Sequence, residues 1–251
     1  MSLTEKIHGV IQDIMATDIN GCIAGSSALP DVDFDLWESE PDVDIFVYNE
    51  PELMHAIDVL VLEKGFSFIS KGEEVKFGWL RGRYKNGMSL STHKVEKDGI
   101  IVNITYKNYK RDVISVLKSF DMSIIMVGWD IPTGIGYDLR MRNGFIMADP
   151  DAKWSDDVKK AVPNPLREQN ATMYTVPMWV RQFDRVEKYW DRGFNTIPMA
   201  EYYVALITEV IDTGVLFKTE ANEVKYQDFL AEFGPQRDKM VAWIKEKEAC
   251  L

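Results

Sequence analysis

Cysteine and histidine are scarce in this chain, with two and three among 251 residues. Cys22 and Cys250 lie at opposite ends, and the three histidines are scattered, so neither a disulfide framework nor a zinc-ligand spacing can be built. Long apolar runs are missing as well. No stretch reaches the ~20 residues that span a bilayer, and the opening "MSLTEKIHGVIQDIMATDI" is broken by charges where a secretory leader would be continuously apolar. A cytoplasmic protein is the expectation. Positive charge is also short: 29 Lys and Arg against 40 Asp and Glu give a net charge of -11. A phosphate backbone would be repelled on average, which excludes broad, non-specific nucleic-acid binding. Any polyanionic substrate must meet a local basic patch or a bound cation.

What is present describes an ordinary globular chain, 46% hydrophobic and 12% aromatic, with ample length for a hydrophobic core. Up to about residue 150, short β-rich runs alternate with helical patterns near 3–17, 51–64 and 109–119. The runs are "GCIAG", "DIFVY", "FSFIS", "IIVNITY", "MSIIMVGW" and "GFIMA". The expected fold is α/β, or α+β, with a mixed sheet over residues 1–150. Residues 151–251 form a helical C-terminal region, with helices near 177–192, 199–214, 225–232 and 236–249.

The acidic stretch "CIAGSSALPDVDFDLWESEPDVDIFVYNE" carries the chemistry. Small residues in "AGSS" let backbone amides approach a ligand closely, and a turn feeding a helix start offers N–H groups to phosphate; an ordinary Gly-Ser turn with a serine cap has the same pattern. In "DVDIFVY", alternation puts Asp42 and Asp44 on one face of a strand and Val43, Ile45 and Val47 on the other. Two carboxylates on one face repel each other unless a cation lies between them, and oxygen pairs of this kind suit Mg²⁺. An edge strand blunted by charge is the competing reading. The earlier Asp31, Asp33 and Asp35 begin a calcium-loop pattern, but Leu36 and Asp42 occupy the positions of its glycine and bidentate glutamate, so these acids read as a solvated loop.

"IAGSS" followed by "DVDIFVY" resembles the signature of the DNA polymerase β-type nucleotidyltransferase superfamily. "SFDMSIIMVGWD" and "RVEKYWDRGF" are similar to segments of its uncharacterised viral and phage-borne branch. The resemblance implies that Gly25, Ser26 and Ser27 bind the triphosphate of a nucleoside triphosphate. It makes Asp42 and Asp44 ligands of two Mg²⁺ or Mn²⁺ ions and implies transfer of a nucleoside monophosphate to an acceptor hydroxyl, with RNA, such as a tRNA end, as the leading acceptor. The superfamily's third carboxylate has no counterpart on "GIIVNITYK", where Asn103 stands; Asp121 in "SFDMS", read as opening a strand, is the alternative third acid, or else a turn aspartate. Loss of the third acid would leave a catalytically silent nucleotide-binding or protein-interaction relative.

Basic residues offer further contacts. In "WVRQFDRVEKYWDRGF", Arg181, Arg185, Lys188 and Arg192 fall within roughly 60° of a helical arc, opposite Trp179, Phe183, Val186 and Trp190. Such a stripe suits triphosphate oxygens or an RNA backbone. Arg81, Arg83 and Lys85, with Lys107, Lys110 and Arg111, sit in loop-like segments beside Tyr84, Tyr106 and Tyr109, and read as exposed loops that could also grip a polynucleotide. Trp179, Trp190, Tyr202 and Tyr203 read as packing residues.

Overall fold

The computed structural model describes residues 1–30, 32–37, 41–71, 90–107, 110–142, 145–146, 160–164, 176–214 and 223–251. The chain divides into two compact units, Met1–Phe120 with Ile125–Trp154, and Asp121–Ile124 with Ser155–Leu251.

The first unit is a mixed α/β domain. Its helices are α1 (Leu3–Met15), α2 (Glu50–Asp58, extended by a π-helical turn over Val59–Glu63) and α3 (Val113–Leu117). Its main strands are β1 (Gly21–Ala24), β2 (Val43–Val47), β3 (Ser67–Lys71), β4 (Leu90–Lys97), β5 (Ile100–Lys107), β6 (Val127–Asp130) and β7 (Gly136–Asp138). These form one seven-stranded sheet in the order β3-β4-β5-β2-β1-β6-β7. Only β2 and β5 run parallel; every other neighbouring pair is antiparallel. A short ribbon of β8 (Met141–Arg142) and β9 (Phe145–Ile146) stands apart from this sheet.

Alternation along β2 decides what faces where. Val43, Ile45 and Val47 are buried on one face. Phe46, on the other, joins Cys22 and Ala24 under α3, packed by Val113, Val116 and Leu117. Each fully buried aliphatic or aromatic side chain contributes about 1.5–3 kcal/mol, so both faces hold the sheet centre. The α3 cover is anchored by Asp112, whose side chain accepts from the Ser115 N–H at 2.6 Å in a capping box.

Two strands of the seven-stranded sheet escape the sequence pattern above. β4 pairs with β5 along its whole length through the turn Asp98-Gly99, both residues at positive φ (56° and 83°). Asp-Gly with both central residues left-handed is the preferred two-residue hairpin connection. β7 pairs with β6, where Gly136 leaves room for the Trp129 ring; a Cβ there would lie 2.8 Å from it. Conversely, the run "MSIIMVGW" is strand only from Val127, because Ser123–Ile125 forms a 3₁₀ turn.

In the second unit, α4 (Val176–Asp191), α5 (Ile197–Thr213) and α6 (Glu223–Glu248) are helical, and α5 packs on both α4 and α6. The expected break near Gly234-Pro235 is absent: α6 runs through Pro235. Phe233, Met240 and Ile244 are buried at i, i+7 and i+11, so one continuous apolar side offsets the hydrogen bond that proline removes. α5 ends at Gly214 in the left-handed conformation, its N–H bonded to the Val210 carbonyl.

Candidate functional site

The end of β1 and the start of β2 bring together Gly25, Asp42 and Asp44. Gly25 has φ 97° and ψ -151°, a conformation that a Cβ strains, and a Cβ built there would lie only 3.5 Å from Asp44 Oδ2. The conformation, more than the space, demands glycine. Its N–H bonds to the Val127 carbonyl on β6, and a 3₁₀ turn over Ser26–Ala28 follows. Both serines are buried, and the Ser27 hydroxyl oxygen has no hydrogen-bond partner among the described residues. A buried hydroxyl without a partner costs free energy, of order 1–3 kcal/mol.

Asn103 completes the corner. The parallel pairing of β2 and β5 sets Asp44 directly beside Asn103. From there the Asn103 Nδ2 donates to Asp44 Oδ1 at 2.9 Å and to Asp42 Oδ2 at 3.2 Å. One neutral amide therefore bridges two carboxylates that would otherwise face each other with like charge. Its other end, Oδ1, is buried and has no partner among the described residues. Asp42 is exposed and Asp44 half-buried, so the corner is open to solvent on the Asp42 side. This is an oxygen-rich set, two carboxylates and one amide carbonyl, of the kind hard cations prefer.

Asp121 lies elsewhere in the chain's organisation, in the helical unit. It opens no strand; its backbone carbonyl accepts from the Asn164 N–H at 2.9 Å. Its buried carboxylate takes Arg185 Nη1 at 2.6 Å, and the Tyr203 hydroxyl is shared between Asp121 Oδ2 at 3.2 Å and Gln182 Oε1 at 2.9 Å. Burial acts to lower the basicity of Arg185, but the adjoining Asp121 charge prevails and raises it, so the guanidinium stays charged. Among the described residues, no three or more His, Cys, Asp or Glu side chains gather as metal ligands.

The basic stripe on α4 is divided by packing. Gln182, Phe183, Val186 and Tyr189 are buried, which turns Arg185 inward to Asp121. Arg192 is buried as well, its guanidinium 5.5 Å from the centre of the Tyr189 ring. Lys188 is exposed, and the Arg181 side chain lies outside the described residues. One continuous cationic face is therefore not what α4 presents. Arg81, Arg83, Tyr84, Lys85 and Tyr109 also fall outside the described residues, as do the side chains of Lys107 and Trp179. The aromatic residues on these helices do pack: Trp190 meets Trp243 edge to face at 5.6 Å, and Tyr203 is fully buried.

The upstream acids are not simply solvated. Asp35 Oδ1 accepts from the Leu3 N–H at 2.6 Å, and Asp33 Oδ1 accepts from the Thr4 hydroxyl at 3.1 Å. They cap the first turn of α1, where unpaired N–H groups favour an anion. Asp31 lies outside the described residues.

Sequence reasoning overlooked Lys94. It lies on β4 directly opposite Asn103, on the same face of the sheet. The alternation in "STHKVEK" and the Asp-Gly that follows were the signals that would have placed it.

Comparison with known proteins adds no relative: no protein-family model matches the chain, and no curated protein matches it at a significant level. Among the described residues, no helix is long and apolar enough to cross a membrane.

Proposed function

We propose that this chain is a metal-dependent nucleotidyltransferase of the DNA polymerase β type, which moves a nucleoside monophosphate from a nucleoside triphosphate to the hydroxyl of an RNA acceptor. The observation that carries the reading is the Asn103 amide within hydrogen-bond reach of both Asp42 and Asp44, beside the glycine turn of Gly25. Asp42 and Asp44 would hold two Mg²⁺ or Mn²⁺ ions, which when bound lower the pKa of the attacking hydroxyl and neutralise the departing pyrophosphate.

Asp42 and Asp44 supply the negative charge at the end of a buried strand, where the sheet fixes their spacing. Asn103 holds those carboxylates in place, offering Nδ2 to them; rotation of its amide exchanges the two ends and turns the unpartnered Oδ1 toward the same point. Gly25, Ser26 and Ser27 form the turn that would receive the triphosphate, with the unsatisfied Ser27 hydroxyl as a donor. Arg185, on α4, already serves Asp121.

Two observations favour a second reading, a catalytically silent nucleotide-binding relative: the third position holds an amide in place of a carboxylate, and Asp121 is committed to a guanidinium. Incubation with each α-labelled nucleoside triphosphate, Mg²⁺ or Mn²⁺ and total RNA separates them. Transfer of label by the wild type, lost in Asp42→Ala/Asp44→Ala, is the expected result. Metal-dependent triphosphate binding without transfer to any acceptor would establish the silent binder instead.

A further inference from the structure

We infer that Lys94 is an anion-binding residue of this site, contacting a phosphate of the RNA acceptor; the inference rests on the proposed transferase reading and names the group that receives its acceptor. The strand order β4-β5-β2-β1 sets Lys94, Asn103 and Asp44 side by side, because Asn103 is paired with Lys94 across one interface and with Asp44 across the other. With strands about 4.8 Å apart, the Lys94 backbone lies about 10 Å from that of Asp44, and a long flexible stem bridges part of that distance. Gly25 and its serine turn lie on the other side of Asp44, at the end of β1. Lys94 and the turn therefore flank the carboxylates from opposite sides. If the turn takes the donor triphosphate, Lys94 lies where the attacking strand must approach.

The lysine itself is unusual for this molecule. It is half-buried, and among the described residues no hydrogen bond or ion pair holds its ammonium, although the carboxylates of Asp42 and Asp44 are two strands away and Glu96 is two residues along. Asn103 donates to those two carboxylates from the strand between. Guarding a sheet edge is not its role, since β4 is flanked by β3 and β5. Asn103, whose buried Oδ1 has no partner among the described residues, stands between Lys94 and Asp44 in the row. In a chain of net charge -11, a polyanion needs a local cation to approach two aspartates at all. Arg185 does not supply it, being paired with Asp121.

The test is equilibrium binding of a fluorescently labelled single-stranded oligoribonucleotide across a salt series, and of ATP with Ca²⁺, to the wild type, Lys94→Met, Lys94→Gln and Lys94→Arg. Lys94→Met and Lys94→Gln are expected to weaken oligoribonucleotide binding about tenfold and to make the salt dependence shallower by about 0.7, one phosphate contact on a single strand. Lys94→Arg is expected to keep both, and ATP binding to stay within about twofold throughout. Lys94→Gln carries the result should methionine disturb folding, which thermal melts report. An unchanged salt slope in both neutral variants would overturn the inference. So would an equal loss of ATP binding, which would assign Lys94 to the donor triphosphate. Mn²⁺ binding to the wild type and to Asp42→Asn/Asp44→Asn, measured alongside, tests the cation site separately. Its failure with the slope change intact would sink the transferase reading and leave Lys94 as an RNA contact.

Discussion

Two clusters in this protein solve the same problem in opposite ways. At Asp42 and Asp44, two carboxylates are held together by a neutral amide and left open to water on one side. At Asp121, one carboxylate is buried and met by a full cation, Arg185, with the Tyr203 hydroxyl beside it. A buried charge without a partner is far too costly to persist, so the second cluster must be closed. The first is not closed: a dipole softens repulsion between two charges without cancelling it, and the residual charge can attract a cation. The difference teaches where chemistry can reside, because a satisfied ion pair has little left to offer a ligand.

Stability should respond most at the closed cluster. Arg185→Met removes the cation and leaves the Asp121 carboxylate buried, which is expected to cost about 3 kcal/mol, measured by denaturant unfolding of the helical unit. Asp121→Asn/Arg185→Met, which removes both charges, should recover much of that loss. If Arg185→Met were instead neutral in stability but abolished nucleotide transfer, the guanidinium would belong to the substrate and the comparison would fail.

The open cluster should show a smaller loss of stability, offset by tighter cation binding. Asn103→Asp replaces the bridging amide with a third carboxylate, so the cation-free protein is expected to lose about 1 kcal/mol while its Mn²⁺ affinity rises at least tenfold. Thermal melts with and without Mn²⁺ read both quantities: the variant melts lower without the ion and gains more from it. Equal melting of variant and wild type with Mn²⁺ absent would mean that Asn103 separates no charge.

The smallest effects belong to exposed carboxylate contacts in the same unit, which titrate in opposite directions. For Asp35, desolvation raises its pKa, but hydrogen bonds from Leu3, Thr4 and Ser2 together outweigh it and hold the carboxyl below its usual value. Its contribution is present above the unfolded pKa and fades as pH falls through the folded one. For His55, the hydrogen bond to Asp18 at 3.0 Å raises the pKa. That contribution is full below the unfolded pKa and is lost as pH rises through the folded value; as an exposed pair it amounts to no more than a few tenths of a kcal/mol. Asp35→Asn should remove part of the stability loss below about pH 4, and His55→Gln part of the loss above about pH 6.5, both followed by melting temperature against pH.

Much of the sheet could be read from residues. Alternation in "DVDIFVY" placed Asp42 and Asp44 on one face and Val43, Ile45 and Val47 on the other, and the fold keeps that division because a one-residue slip would exchange the faces. What local pattern does not contain is which strands become neighbours. The pairing of Asn103 with both Asp44 and Lys94 is a matter of strand order, so Asn103 looked like a lost acid and Lys94 went unnoticed. The same limit explains Arg185: its helical arc matched Arg181, Lys188 and Arg192, but the buried Asp121 that claims it lies 64 positions away in sequence. At Pro235 the local signal was overridden by burial of Phe233, Met240 and Ile244 along one side of α6.

The central claim is that Asp42 and Asp44, bridged by Asn103, form a cation site. Titration of Mn²⁺ into the wild-type protein and into Asp42→Asn/Asp44→Asn, followed by the electron paramagnetic resonance signal of the free ion, tests it most directly. Saturable binding by the wild type that the variant loses, with both proteins equally folded by circular dichroism, is the predicted result. Binding of equal strength in both, or none in the wild type, would contradict it.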